Sequence, residues 1–316
     1  MEQQARGTVA LTGGTGFIGQ HLVRALIDDG WRVKSLTRHP DPGPVAPDLI
    51  QVEGVLEDRA ALRKLVSESD VIIHAGGRIT ARKAQEFESV NVTGTENIVR
   101  AAAEQPNPPA LIYLSTIAAR EPLLSPYAAT KREGENRLRE HGKGLRWNIL
   151  RPPVVYGPGD RQTLQIFRQF KKGVALQLTS QGRFSMIYVD DLVAAILFLL
   201  RDFDRNSAIF ELDDGHSNGY CWDDVVTESS RKLNRPIRNF RLPTGVQTAI
   251  AATASVISAM TGKPPVLSRG KINEFAHPDW VAAKNLLNRE DGWEAKIDLR
   301  EGVSRTIDWY ISEGWL

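Results

Sequence analysis

Cysteine is almost absent from this chain of 316 residues. The single one, Cys221, excludes an internal disulfide and a cysteine metal cluster, and it suits a reducing cytoplasm. Its place beside Trp222 makes a small packed residue the simplest role. A dominant charge of one sign is also missing. Forty Lys and Arg against 38 Asp and Glu leave a formal charge of +2 with both signs spread along the chain, which argues against a nucleic-acid partner and for a small-molecule one. Long apolar runs are missing too. Residues 246–260 are short for a span and diluted by Ala, Ser and Thr, so they read as an amphipathic or buried helix, and no membrane partner is expected. Residues 1–7 are polar and too short for a secretory signal, and no metal site is expected.

What is present is an alternation. Apolar runs near Val9, Val33, Ile50, Val71, Leu111 and Trp147 read as strands with helical patterns between them, which predicts an α/β fold: a Rossmann-type doubly wound parallel sheet. Prolines 40, 42, 44 and 47 keep the connection after the second strand irregular. A helix is expected to begin near Asn91 and to end before the prolines at 106–109. Beyond Arg151 the pattern loosens, with a helix at 163–172, short strands at 175–178 and 209–212, a strand at 186–189 and a buried helix at 192–200. The expected organisation is a nucleotide-binding part at 1–155, its sheet completed by segments around 185–212, and a smaller C-terminal substrate-binding lobe over most of 156–316.

The first strand runs into Gly13-Gly14-Thr15-Gly16-Phe17-Ile18-Gly19. Here Gly13 permits the tight turn, Gly16 lets backbone amides approach a pyrophosphate, and Gly19 lets the following helix pack close. Helix N-terminal amides attract anions, so with the strand before it and the helix after it this loop reads as a dinucleotide site. Tyr127 and Lys131 lie four residues apart at the start of a helix running to about Glu140, so both project from one face. An ammonium beside a phenol stabilises phenolate and suits proton exchange with a carbonyl and alcohol pair. Ser115 and Thr116 follow the fifth strand at the sheet's C-terminal edge, where ligands bind; their alternative role is in a turn or helix cap.

Together these residues resemble the extended short-chain dehydrogenase/reductases, also called NAD-dependent epimerase/dehydratases. Further elements of the resemblance are Asn91-Val92-Thr93-Gly94-Thr95, Leu150-Arg151-Pro152, Val155-Tyr156-Gly157-Pro158-Gly159-Asp160 and Tyr188-Val189-Asp190-Asp191. It implies that Tyr127 is the acid/base, that Lys131 tunes it and holds the nicotinamide ribose, and that Thr116, with Ser115 the close second, binds the substrate oxygen. It also implies cofactor contacts at Gly13, Thr15, Gly16, Phe17, Ile18, Leu56, Asp58, Ala75, Gly76, Gly77, Asn91, Pro152 and Val154. His74 reads as a partly buried strand residue without chemistry. A homodimer through helices around 84–103 and 127–141 follows by analogy.

Where NAD readers end the second strand on a carboxylate, this chain has Leu36-Thr37-Arg38-His39. Arg38 can stack on adenine and pair with a 2′-phosphate, which favours NADP, with NAD the alternative. Relatives acting on nucleotide-sugars carry an arginine just before the Val-Asp-Asp strand; here that position is Ser185, with Arg183 near enough to compensate. Residues 244–260 resemble the apolar lobe of members that reduce bulkier ketones. The leading expectation is hydride transfer between nicotinamide and a secondary alcohol or ketone. The alternatives are a nucleotide-sugar epimerase/dehydratase with retained NAD, and a non-catalytic dinucleotide sensor or scaffold.

Overall fold

The computed structural model describes residues 6–177, 182–201, 207–243, 245–246, 249, 253–254, 258, 261, 264–265, 267–283, 287 and 292–316. The chain divides into two compact units, the first made of Met1–Pro122, Pro126–Arg151 and Ile196–Phe210, the second of Leu123–Ser125, Pro152–Ala195 and Glu211–Leu316.

The first unit is built on β1 (Thr8–Thr12), β2 (Arg32–Thr37), β3 (Leu49–Glu53), β4 (Val71–His74), β5 (Ala110–Leu114) and β6 (Trp147–Arg151), all six expected strands. With β11 (Ala208–Glu211) they form a seven-stranded sheet in the order β11-β6-β5-β4-β1-β2-β3. The registered pairs β3/β2, β2/β1, β1/β4, β4/β5 and β5/β6 are all parallel, so the order reverses between β1 and β4. Ligands in such sheets bind outside the strand C-termini at that reversal. Val9, Leu11, Ile72, Ile73, Leu111 and Ile112 are fully buried, as runs covered by helices on both faces must be.

Two elements differ from the sequence reading. The helix expected near Asn91 starts earlier: α3 (Ala84–Glu88) passes through one π-helical turn, Ser89–Thr93, into α4 (Gly94–Ala103). Gln85, Glu86 and Glu88 carry no apolar period, so only the bounds given by the family analogy, around 84–103, included this start. The seventh strand is 208–211, whereas the run beginning at Met186 forms β10 (Met186–Tyr188), which pairs with β7 (Val154–Tyr156) in a separate two-stranded sheet.

In the second unit, α6 (Leu164–Lys171), α8 (Trp222–Leu233), α9 (Arg269–Ala276) and α10 (Leu299–Ser312) accompany three two-stranded sheets: β7 with β10, β8 (Val174–Gln177) with β12 (Arg238–Arg241), and β9 (Arg183–Phe184) with β13 (Asp279–Trp280). α7 (Val189–Arg201) spans the boundary of the two units. An aromatic cluster forms the second core: Phe167 meets Phe170 at 5.9 Å and Tyr310 at 5.7 Å, and Phe170 meets Trp222 at 5.7 Å. Most of residues 244–260, read as an apolar lobe, lie outside the described residues. Among the described residues no helix is long and apolar enough to cross a membrane.

Candidate active site

The glycine loop closes onto itself. Gly13 sits at φ +78°, the left-handed region, and a Cβ there would meet the backbone of Ala75 and Gly76 at 2.7–2.8 Å, so only glycine fits between β1 and β4. At Gly19 a Cβ would run into the carbonyl of Gly13, which is why α1 (Phe17–Asp28) can start so close to the strand. That helix has no side-chain cap at Gly16 and no acid in its first turn, so its leading N–H groups keep their capacity for an anion. This cradle fits a dinucleotide pyrophosphate.

Beside the loop, a buried histidine ties three elements together. His74 is fully buried, with Nδ1 2.7 Å from Thr12 Oγ1 and Nε2 3.0 Å from Thr95 Oγ1. Thr95 already donates its hydroxyl proton to the Asn91 carbonyl at 2.7 Å, so it accepts from Nε2–H. Nδ1 is therefore the acceptor, Thr12 donates to it, and the remaining Thr12 lone pair takes the Gly76 N–H at 3.0 Å. Burial and the Lys131 charge hold the imidazole pKa down to about 3, so it stays neutral. One tautomer thus orients the ends of β1 and β4.

Asn91, on the π-helical turn, accepts from Arg78 N at 2.7 Å and donates to Arg78 O at 3.0 Å and to Thr130 Oγ1 at 3.1 Å. Its amide is spent on the wall that contains Ala75, Gly76 and Gly77. Such π-helical turns recur at functional sites, and here the wider turn carries Asn91. Leu56 packs against Gly94, and its carbonyl accepts from Asn97 Nδ2 at 3.0 Å. Asp58 caps α2 (Arg59–Val66), Oδ1 accepting from Ala60 and Ala61 N–H at 2.9 and 3.0 Å. Arg38 is exposed immediately after β2.

Tyr127 and Lys131 occupy the first turns of α5 (Pro126–His141). Tyr127 is half-buried, its ring 6.3 Å from that of Phe87. Lys131 is buried: its ammonium donates to Leu114 O at 2.8 Å, sits 4.3 Å from the Tyr113 ring centroid, and lies 3.8 Å from where a Gly77 Cβ would be. Burial pushes its pKa down to about 7, and the Glu135 carboxylate pulls it back up.

Glu135 escaped the sequence reading. It is fully buried one helical turn beyond Lys131, where it accepts from Arg151 Nε at 2.8 Å and Nη2 at 2.6 Å and from Ser115 Oγ at 2.6 Å. Its i,i+4 spacing from Lys131 was visible, yet α5 also carries Glu133 and Glu140, and spacing alone separates none of them. Because Glu135 holds Ser115, the two neighbouring hydroxyls are unequal. Thr116 Oγ1 accepts from Ala118 N at 3.3 Å as the cap of a short helical turn, and its hydroxyl proton is not spent in that contact.

Residues 9–212 match the NAD dependent epimerase/dehydratase family. The chain belongs to this family. Among relatives, the ceramide reductase of Caulobacter vibrioides is 38% identical over 323 residues, covering 100% of this chain and 98% of that protein. The 2-alkyl-3-oxoalkanoate reductase of Stenotrophomonas maltophilia is 25% identical over 324 residues, covering 94% and 97%. Among solved structures, MoeE5 in complex with UDP-glucose and NAD has the same fold, with a TM-score of 0.75 at 20% identity over 97% of this chain and 99% of that one. Within this epimerase/dehydratase member, the residues singled out from sequence separate into two groups. The glycine loop, Ala75–Gly77, Asn91, Ser115, Thr116, Tyr127 and Lys131 all lie in the first unit, whereas Pro152 and Val154 open the second.

The Lys131 environment yields a testable pH dependence. The Glu135 carboxylate one helical turn away raises the Lys131 pKa against the larger effect of burial, while the neutral His74 imidazole and the Tyr113 ring lie beside it. With its pKa lowered to about 7, Lys131 is charged below that pH and neutral above it. Glu135→Gln removes the supporting carboxylate, so the Lys131 pKa is expected to fall by about one unit. Superimposable titrations of the Lys131 side-chain NMR signal in the two proteins exclude this coupling.

Proposed function

We propose that this chain is an NADP-dependent reductase of ketones on alkyl-chain substrates, with Tyr127 as acid, Lys131 as its electrostatic partner and Thr116 as the donor to the substrate oxygen. When bound, the dinucleotide supplies the hydride. Thr116 hydrogen-bonds the carbonyl oxygen, Tyr127 passes its phenolic proton to the nascent alkoxide, and the Lys131 ammonium stabilises the phenolate left behind.

The observation that carries reduction over nucleotide-sugar epimerisation is the fate of Arg183. Its guanidinium is committed to backbone, Nε donating to Asn218 O and Nη2 to Gly219 O, both at 2.6 Å. Ser185, at the other candidate position, accepts the Ala282 N–H at 3.0 Å. Ser185 carries no charge, and two of the five N–H groups of Arg183 are already taken by backbone carbonyls, which disfavours the diphosphate grip of the nucleotide-sugar pattern. The full-length likeness to a ceramide reductase and the likeness to an oxoalkanoate reductase support the same reading and suggest a substrate bearing long alkyl chains.

NADPH consumption, followed spectroscopically against ceramide-class, 3-oxoalkanoate, alicyclic and sugar-nucleotide ketones, tests it. Turnover is expected with the first two. Conversion of a sugar-nucleotide without net NADPH loss would overturn the proposal. Arg38→Asp is expected to weaken NADPH binding by tenfold or more, by roughly the worth of one charge-assisted phosphate contact, with little change for NADH. Equal effects on the two cofactors exclude the 2′-phosphate role.

A further inference from the structure

The near-neutral total charge conceals a segregation. Residues 161–189 hold five Lys and Arg and no Asp or Glu, and residues 229–273 hold eight and none, so all 38 acids lie elsewhere. Described parts of both stretches meet in the second unit through the pairing of β8 with β12.

The exposed face of that pair is apolar at its centre. Ala175 and Gln177 are buried, and Asn239 Nδ2 and Arg241 Nε both reach Gln177 Oε1, at 3.1 and 3.2 Å, so these alternate residues share the inner face. Val174, Leu176, Arg238 and Phe240 therefore share the outer one. Phe240 stands opposite Leu176 in register, 49% and 38% exposed. Cations continue from its end: Arg238 N–H donates to Gly173 O, Arg235 Nη1 donates to Lys171 O at 2.7 Å, and Arg168, Lys171, Lys172 and Arg235 line one concavity with Trp315 and Leu316.

We propose that this face docks on a lipid bilayer containing anionic headgroups. An exposed Phe and Leu enter the interface while the surrounding Lys and Arg meet lipid phosphates. Charge complementarity selects this occupant. A second copy would set cation against cation, and a nucleic-acid backbone gives the Leu176–Phe240 pair nothing apolar to bury. Docking there would bring the protein to where substrates with long alkyl chains reside, but the surface exists whatever is reduced.

Co-sedimentation of the full chain, without substrate, with vesicles of phosphatidylcholine alone and of phosphatidylcholine mixed with phosphatidylglycerol tests this. Pelleting is expected with the anionic vesicles, with loss at high salt. The triple variant Lys171→Glu, Lys172→Glu, Arg235→Glu should lower partitioning about a hundredfold, and Leu176→Ser with Phe240→Ser about tenfold. An unchanged thermal midpoint in both variants is the control for folding, so a failure of the reductase reading leaves this test intact. No pelleting, equal pelleting with both vesicle types, or wild-type pelleting by both variants overturns the proposal, as does binding to heparin or RNA without binding to vesicles.

Discussion

Tyr127→Phe is expected to lower kcat for ketone reduction by about three orders of magnitude while NADPH affinity changes by less than about twofold. The phenol oxygen is the only atom lost. The helix start, the half-buried ring and its neighbour Phe87 stay in place, so binding and stability report on the fold while turnover reports on the proton. Lys131 remains beside Leu114 O in this variant, which removes the acid without disturbing the cation. Single-turnover measurements with saturating NADPH separate the two effects. Undiminished turnover would remove Tyr127 from the mechanism and leave the buried lysine without its partner.

Arg151→Met is expected to destabilise the protein by about 3 kcal/mol or more, a fall in thermal midpoint of roughly 5 °C or more. Glu135 is fully buried, and Arg151 provides its two short charged contacts; Arg132 and Arg139 approach only to 3.8 Å. Removing one member leaves an inadequately paired carboxylate in the core, whereas removing both charges costs less. The double variant Glu135→Gln, Arg151→Met should therefore melt above the single Arg151→Met. Additive losses in the pair of variants would show that these side chains do not act as a unit.

The legible and the hidden parts of the candidate site differ in their physics. Gly13 and Gly19 were readable because a backbone constraint is local, and only glycine satisfies it between a strand and a helix a few residues apart. Tyr127 and Lys131 were readable because helical spacing puts them on one face, and all six strands near the N-terminal half were readable from buried apolar runs. Asn91 was quoted within a motif, but its work on the Arg78 backbone needed the π-helical turn, which no apolar period announces. His74 read as an ordinary strand residue, since its two threonine partners come from positions 12 and 95. Arg183 was in reach of a diphosphate on paper and is held by two carbonyls in the fold.

By itself the sequence determined the layered α/β architecture, the tight glycine loop between β1 and α1 and the placing of Tyr127 and Lys131 on one helix, because each rests on periodicity or steric demand within about twenty residues. Tertiary structure decided the environment of those groups: which hydroxyl Glu135 claims, how far burial lowers the Lys131 pKa, which tautomer His74 adopts, and where the acid-free stretches meet. Those outcomes depend on desolvation and on partners brought together across long separations in the chain, quantities that exist only after packing.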